Sequence, residues 1–176
     1  HGIPVAVKDH FFTKGVRTTA GSNLSWDLIP EEDAVVVAKL KDAGAVLLGK
    51  LNLSEFALGE SFSHPGGTPR NPWDLDRNPG ISSSGSAAAT SAFLCASALA
   101  EDTGGSTRIP ASYCGLVGLK ASRGRISMPL NQSEYTWRIA VEGVVTRTVR
   151  DSAAVLDYLH TKPAGGTFYP MASPQG

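Results

Sequence analysis

Ser106 stands in the run DTGGSTR, behind two glycines and an acid and two residues ahead of Arg108. Consecutive glycines let a backbone approach a ligand closely and turn neighbouring N–H groups into a concavity, the arrangement a developing oxyanion requires. A hydroxyl so placed is either an acyl nucleophile or part of a polar turn, and the triplet alone does not decide between them. A nucleophile also needs a base. The four histidines offer little: His1 opens the chain, His64 lies in a Pro/Gly-rich stretch, His160 precedes the tail, and only His10 closely follows an apolar run. The serine cluster GISSSGS lacks the GxSxG spacing of a nucleophile elbow. Lysine is the other base that burial can tune, because desolvation brings its neutral form within reach. Moving a lysine from about 10.4 to near 7 takes roughly 4 to 5 kcal/mol. Lys8, at the end of the apolar run IPVAVK, is placed for that shift.

The elements that must hold these groups can be read from periodicity and turn residues. Residues 3–8 predict a short buried strand, and the charged DHFFTKG after it a turn. From Asp33, AVVVAKLKDAG carries apolar residues at helical spacing and stops at Gly44, ahead of the strand-like AVLLG. Helix followed by strand predicts an α/β layer structure. Residues 62–79 are dense in Pro, Gly, Asn and Asp and predict a long surface loop. After it, GISSSGSAAATSAFLCASALA reads as a serine cluster running into a small-residue helix that can pack very close to a neighbour. Residues 146–159 predict a capped helix with Val149, Ala153, Val155 and Leu156 on its inner side. A core over 1–160 and a poorly ordered Pro/Gly-rich tail over 161–176 are expected.

Composition narrows the function classes. The 176 residues are 41% hydrophobic and 18% charged, enough apolar material for one domain with a real core. Sixteen Lys plus Arg balance sixteen Asp plus Glu, which argues against nucleic acid as a direct ligand. Cys95 and Cys114 lack any metal-ligand spacing and read as buried, reduced thiols. No apolar run is long enough for a membrane span, and the expectation is a soluble, cytoplasmic protein. The chain opens on His1, inside what reads as a strand, and so looks like an excised piece. The oligomeric state stays open, a homo-oligomer among the options.

In order along the chain, HGIPVAVKD, TTAGS, AGAVLLGKLNLSEFALG, RNPWD, SSSGSAAA, DTGGSTRIPASYCGLVGLK and GVVTRTVRDSAAVLD resemble the blocks of the amidase signature family. The resemblance covers essentially the whole chain and implies part of that family's α/β fold, a mixed β-sheet core flanked by α-helices. It implies hydrolysis of carboxylic amides through a Ser-cisSer-Lys triad, with Ser106 as nucleophile, Ser82 as the bridging serine and Lys8 as general base. It further implies an oxyanion hole at Thr103, Gly104, Gly105 and Ser106, a loop-bracing pair of Asp102 and Arg108, and a supporting role for Ser83. Phe56, Ala57, Leu58, Gly59, Glu60 and Ser61 match a region that lines the family's acyl pocket. The substrate implied is a small-molecule amide, and neither metal nor organic cofactor is implied.

The chain also departs from the pattern. Ile81 stands where the family usually has glycine before the bridging serine, Ser84 replaces the next glycine, and His10 replaces a common asparagine. Family members are much longer. Two rival readings follow: a glutaminase subunit of a tRNA-dependent amidotransferase, and a family fragment that binds or supports without turnover. Trp26, Trp73 and Trp137 read as packing or loop anchors, and Lys50 and Lys120 as surface or loop-bracing groups.

Overall fold

The computed structural model describes residues 1–58, 64–126 and 139–160. The expected tail, Trp137, and Gly59, Glu60 and Ser61 lie outside these residues. Five strands form one mixed sheet: β1 (Pro4–Lys8), β2 (Val46–Leu51), β3 (Ser97–Asp102), β4 (Val117–Gly118) and β5 (Val141–Thr146), in the order β2-β1-β3-β5-β4. β1 runs parallel to β2 and β3, while β5 is antiparallel to both β3 and β4. Among the described residues four α-helices accompany the sheet: α1 (Val35–Asp42), α2 (Ser84–Ser91), α3 (Arg108–Tyr113) and α4 (Val149–Leu159).

Alternation along the strands sorts the side chains onto two faces. Val5, Val7, Leu99 and Val144 pack with Val36, Val37 and Leu40 of α1 and Leu159 of α4. Ala6, Ala98, Ala100 and Val145 pack with Ala89 of α2 and Ala111 of α3. One layer is thus built from Val and Leu, each worth roughly 1.5 to 3 kcal/mol when buried, and the other largely from alanine.

The small-residue helix is shorter than its sequence suggests. It ends at Ser91, where the Leu94 N–H folds back onto the Ala89 carbonyl (3.0 Å) and Phe93 takes a φ of 61°. The ALA of the same run then belongs to the fully buried strand β3. Alanine has no intrinsic strand preference, so pairing on both edges decides the state here. The predicted close approach does occur. The Gly85 N–H donates to the Asn52 carbonyl (2.9 Å), and a Cβ at Gly85 would stand 2.7 Å from the backbone N and O of Asn52.

α1 stops at Gly44, as its sequence predicts, with that glycine at φ 76°. In α4, Thr148 caps by accepting the Asp151 N–H (3.1 Å), but the inner face differs from the expected one. Val149 and Ala153 are exposed, whereas Ser152 and Leu159 are buried with Val155 and Leu156 beside them. The stripe is 152, 155, 156 and 159. Ser152 hid it, because a polar residue sits at its head and is satisfied by Thr146 Oγ1 (2.7 Å).

Candidate active site

Lys8 ends β1 on the alanine-lined face and is fully buried. Its Nζ donates to Ser82 Oγ at 2.8 Å, across 74 residues of sequence. Burial lowers the ammonium pKa from 10.5 to about 8, against the opposing pull of the Glu101 and Asp102 carboxylates. At pH 7 such a lysine is neutral in about one molecule in ten, against roughly one in three thousand for an exposed one.

Ser82 follows Ile81 through a cis peptide bond. Its position is fixed by backbone on several sides: Ser54 N–H donates to the Ser82 carbonyl (3.3 Å), and Ser83 N–H donates to the Ser106 carbonyl (3.3 Å). The serine cluster, the β2 exit and the Ser106 loop are therefore clipped together without side chains. The Ser83 and Ser84 hydroxyls are buried and have no hydrogen-bond partner among the described residues.

Ser106 is half-buried in the turn between β3 and α3. Asp102 organises that turn from below, fully buried. It accepts from the N–H groups of Gly105 (2.9 Å), Thr107 (3.3 Å) and Arg108 (3.3 Å). The Arg108 guanidinium adds Nε at 2.9 Å and Nη2 at 3.0 Å, a two-pronged pair that sets direction as well as charge. Burial would push the Asp102 carboxyl up, but the Arg108 side chain and the loop N–H groups bring it down to about 2. Lys120 Nζ donates to the Thr103 carbonyl (2.6 Å) and lies 3.5 Å from Asp102 Oδ1, a loop brace as the sequence suggested. Gly105 is required: its φ is +132°, and a Cβ would meet Ile109 Cδ1 at 2.6 Å. The N–H of Gly105, one of the four residues expected at the oxyanion hole, is directed to Asp102 Oδ1.

Phe56, Ala57 and Leu58 follow the Ser54 clip, with Phe56 and Ala57 at positive φ (49° and 58°) and the Phe56 N–H bound to the Ala20 carbonyl (2.8 Å). Lys50 braces the turn after β1, donating to the Phe11 carbonyl and Thr18 Oγ1 at 2.7 Å each and lying 3.2 Å from Asp9 Oδ1. Trp73 anchors its loop through Nε1 to the Cys114 carbonyl (2.8 Å), and Trp26 carries the Arg17 guanidinium 4.4 Å above its ring. Sequence reasoning left two groups near Lys8 unassigned. His10 Nε2 donates to Glu101 Oε2 at 3.0 Å, and Glu101 faces Glu142 in the β3–β5 register. Nothing in an EDTGGS run marks its glutamate as the partner of a histidine 91 residues away.

The Amidase family model matches residues 1–165, and the chain belongs to this family. The glutamyl-tRNA(Gln) amidotransferase A-type chain of Desulforapulum autotrophicum is 48% identical over 159 residues, which are 90% of this chain and 32% of the relative. The solved peptide amidase of Stenotrophomonas maltophilia superposes with a TM-score of 0.83 at 38% identity, covering 93% of this chain and 34% of that one. The structure of 6-aminohexanoate cyclic dimer hydrolase complexed with substrate gives a TM-score of 0.88 at 40% identity, over 97% of this chain and 37% of that one. The chain spans about a third of the length of the curated relatives it matches. Among the described residues, no helix is long and apolar enough to cross a membrane.

Proposed function

We propose that the protein hydrolyses carboxylic amide C–N bonds through an acyl-enzyme on Ser106, with Ser82 and Lys8 as the proton relay. The observation that carries this reading is the 2.8 Å contact between Ser82 Oγ and a buried lysine whose pKa is lowered to about 8. As Ser106 Oγ bonds to the carbonyl carbon, its proton passes to Ser82 Oγ, and the Ser82 proton passes to neutral Lys8 Nζ. The tetrahedral oxygen takes backbone N–H donors from Thr103, Gly104 and Ser106, each such donor being worth about 3 kcal/mol in a transition state. Collapse breaks the C–N bond, and the leaving amine receives the proton back through Ser82. Water then attacks the acyl-enzyme with the same relay in reverse, releasing the acid. Asp102 and Arg108 hold the turn in shape, and Ser83 ties it to the serine cluster.

The test is labelling of the purified protein by a fluorophosphonate. Wild type is expected to be labelled and Ser106→Ala not; undiminished labelling of the variant removes Ser106 from the nucleophile role. The 48% identity to a glutamyl-tRNA(Gln) amidotransferase chain supports a second reading, in which the amide is that of glutamine and the ammonia is passed to a partner. Ammonia release from glutamine far exceeding that from aliphatic and aryl amides selects this reading, and the reverse preference selects the free amidase.

A further inference from the structure

A run of hydrogen bonds joins the residues beside Lys8 to those beside Ser82 by a route other than their own contact. It passes through the turn at residues 19–22. At one end the Ala20 N–H donates to the Asp9 carbonyl (3.0 Å), and the Asp9 carboxylate accepts from both the N–H (3.0 Å) and the hydroxyl of Thr19. At the other end the Phe56 N–H donates to the Ala20 carbonyl (2.8 Å), and Ser22 Oγ donates to Glu55 Oε1 (2.6 Å). Asp9 follows Lys8 directly, and Ser54, next to Glu55, gives its N–H to the Ser82 carbonyl (3.3 Å). The 2.8 Å contact of Lys8 Nζ with Ser82 Oγ closes the ring. We propose that residues 19–22 form a strut that sets the distance between Lys8 and Ser82, with Thr19 and Glu55 as positioning residues at its two ends. This rests on Lys8 and Ser82 being the proton relay.

The strut does what the sheet leaves undone. β2 pairs with β1 as far as Leu51, opposite Lys8, so the ladder stops short of Ser54. The turn itself is tightly held. The Gly21 N–H donates to Thr19 Oγ1 (3.1 Å) and the Ser22 N–H to the Thr19 carbonyl (3.0 Å), so the Thr19 hydroxyl is engaged on both sides. Asp9 is anchored in turn, its other carboxylate oxygen lying 3.2 Å from Lys50 Nζ. Gly21 has a φ of 72°, and a Cβ there would stand 2.7 Å from the Leu53 carbonyl oxygen, so the strut presses directly on the segment that leads into Ser54. Ala20 and Phe56, joined by the 2.8 Å bond, both hold positive φ (52° and 49°). Residues other than glycine keep that conformation only where their surroundings over-determine it. Thr19 and Ser22 are buried and Glu55 is exposed, so one end of the strut can be cut at the surface.

The test is fluorophosphonate labelling over a range of probe concentrations, which separates the maximal labelling rate from probe binding. Thr19→Val and Glu55→Ala are each expected to lower the maximal rate about 10- to 100-fold, the cost of misplacing a reacting group by about 1 Å, with probe binding within about twofold of wild type. Thr19→Ser and Glu55→Gln keep the hydroxyl and the acceptor oxygen, and are expected to label at the wild-type rate. Because either cut frees the strut, the double variant Thr19→Val/Glu55→Ala should be no slower than the slower single one. Unchanged rates in both single variants overturn the proposal, and so does a loss confined to probe binding, which would set the turn against the ligand instead. Losses that multiply in the double variant also overturn it, since two independent supports are then being removed. Ser82→Ala separates the strut from the relay. A wild type that takes no label, or a Ser82→Ala protein that labels like wild type, removes the relay and the strut's role with it. Failure of Ser82→Ala to label, while Thr19→Val and Glu55→Ala label normally, removes the strut alone. Should Thr19→Val not fold, Glu55→Ala and Glu55→Gln at the exposed end decide the matter.

Discussion

The two faces of the sheet solve different problems with the same strands. Towards α1 and α4 the strands present Val5, Val7, Leu99 and Val144, large groups that fill space and supply burial. Towards α2 and α3 they present Ala6, Ala98 and Ala100, which fill little space and let backbones meet. The approach of Gly85 to Asn52 is of this kind, and so are the clips from Ser54 to Ser82 and from Ser83 to Ser106. The aliphatic layer stabilises through bulk, and the small-residue layer lets Lys8 reach Ser82 and the serine cluster meet the Ser106 loop backbone to backbone.

Substitutions on each face should break this comparison in different ways. The largest effect is expected from Lys8→Met, a loss of at least about 1,000-fold in kcat/KM near pH 7 if the lysine is the base. Its stability should move the opposite way. A lysine lowered to about 8 carries its desolvation penalty in full below pH 8 and sheds it between pH 8 and the unfolded value near 10.5. Urea unfolding is therefore expected to show the variant more stable at pH 7, by up to roughly 3 kcal/mol, with the advantage fading by pH 10.5. An advantage independent of pH would mean that side-chain packing, not charge burial, separates the two proteins.

Leu99→Ala, on the aliphatic side, is expected to cost about 3 kcal/mol of unfolding free energy. Because it touches no clip, kcat/KM well below the melting temperature should stay within about threefold of wild type. Gly85→Ala adds one carbon where backbone atoms stand 2.7 Å away, and overpacking of this kind costs roughly 1 to 3 kcal/mol. Here activity is expected to fall more than stability predicts, because Asn52 and the serine cluster must separate. If Leu99→Ala damages turnover as much as Gly85→Ala at matched stability, the division of labour between the faces is wrong.

The smallest effect on turnover is expected from Glu142→Gln, whose effect on stability depends on pH. A carboxyl raised to about 8 binds its proton more tightly folded than unfolded, so stability falls as pH rises from the usual value near 4.5 towards 8. Removing it should leave the melting temperature nearly unchanged at pH 5 and raise it on the order of 10 °C at pH 9. A scan showing equal shifts at both pH values would contradict a carboxyl that is neutral in the folded protein.

Much of the layout was legible because local chemistry and tertiary need agreed. IPVAVK is a strand by composition and by burial, AVVVAKLKDAG is a helix closed by its glycine, and a mixed sheet with flanking helices follows from their order. β3 was not legible. Its Ala-rich run carries no strand signal, and only β1 on one edge and β5 on the other make it the middle of the sheet. Lys8, Ser82 and Ser106 were legible as residue types and through resemblance. The 2.8 Å contact between the first two is a property of the fold. His10 and Glu101 escaped notice for the same reason, since neither lies in a local pattern that names the other. Where the Gly105 N–H points depends on Asp102 and not on the GGS triplet.

The clips between Ser54, Ser82, Ser83 and Ser106 join segments far apart in the chain, and Lys8 reaches Ser82 over 74 residues. Contacts of such long sequence separation form late, after the loops between them have closed. Until then the lysine sits in water near its ordinary 10.5 and is almost wholly cationic at neutral pH. If Lys8 is the relay base, reactivity is coupled to maturation: a nascent, misassembled or locally opened chain carries the same residues but holds its lysine in the cationic form.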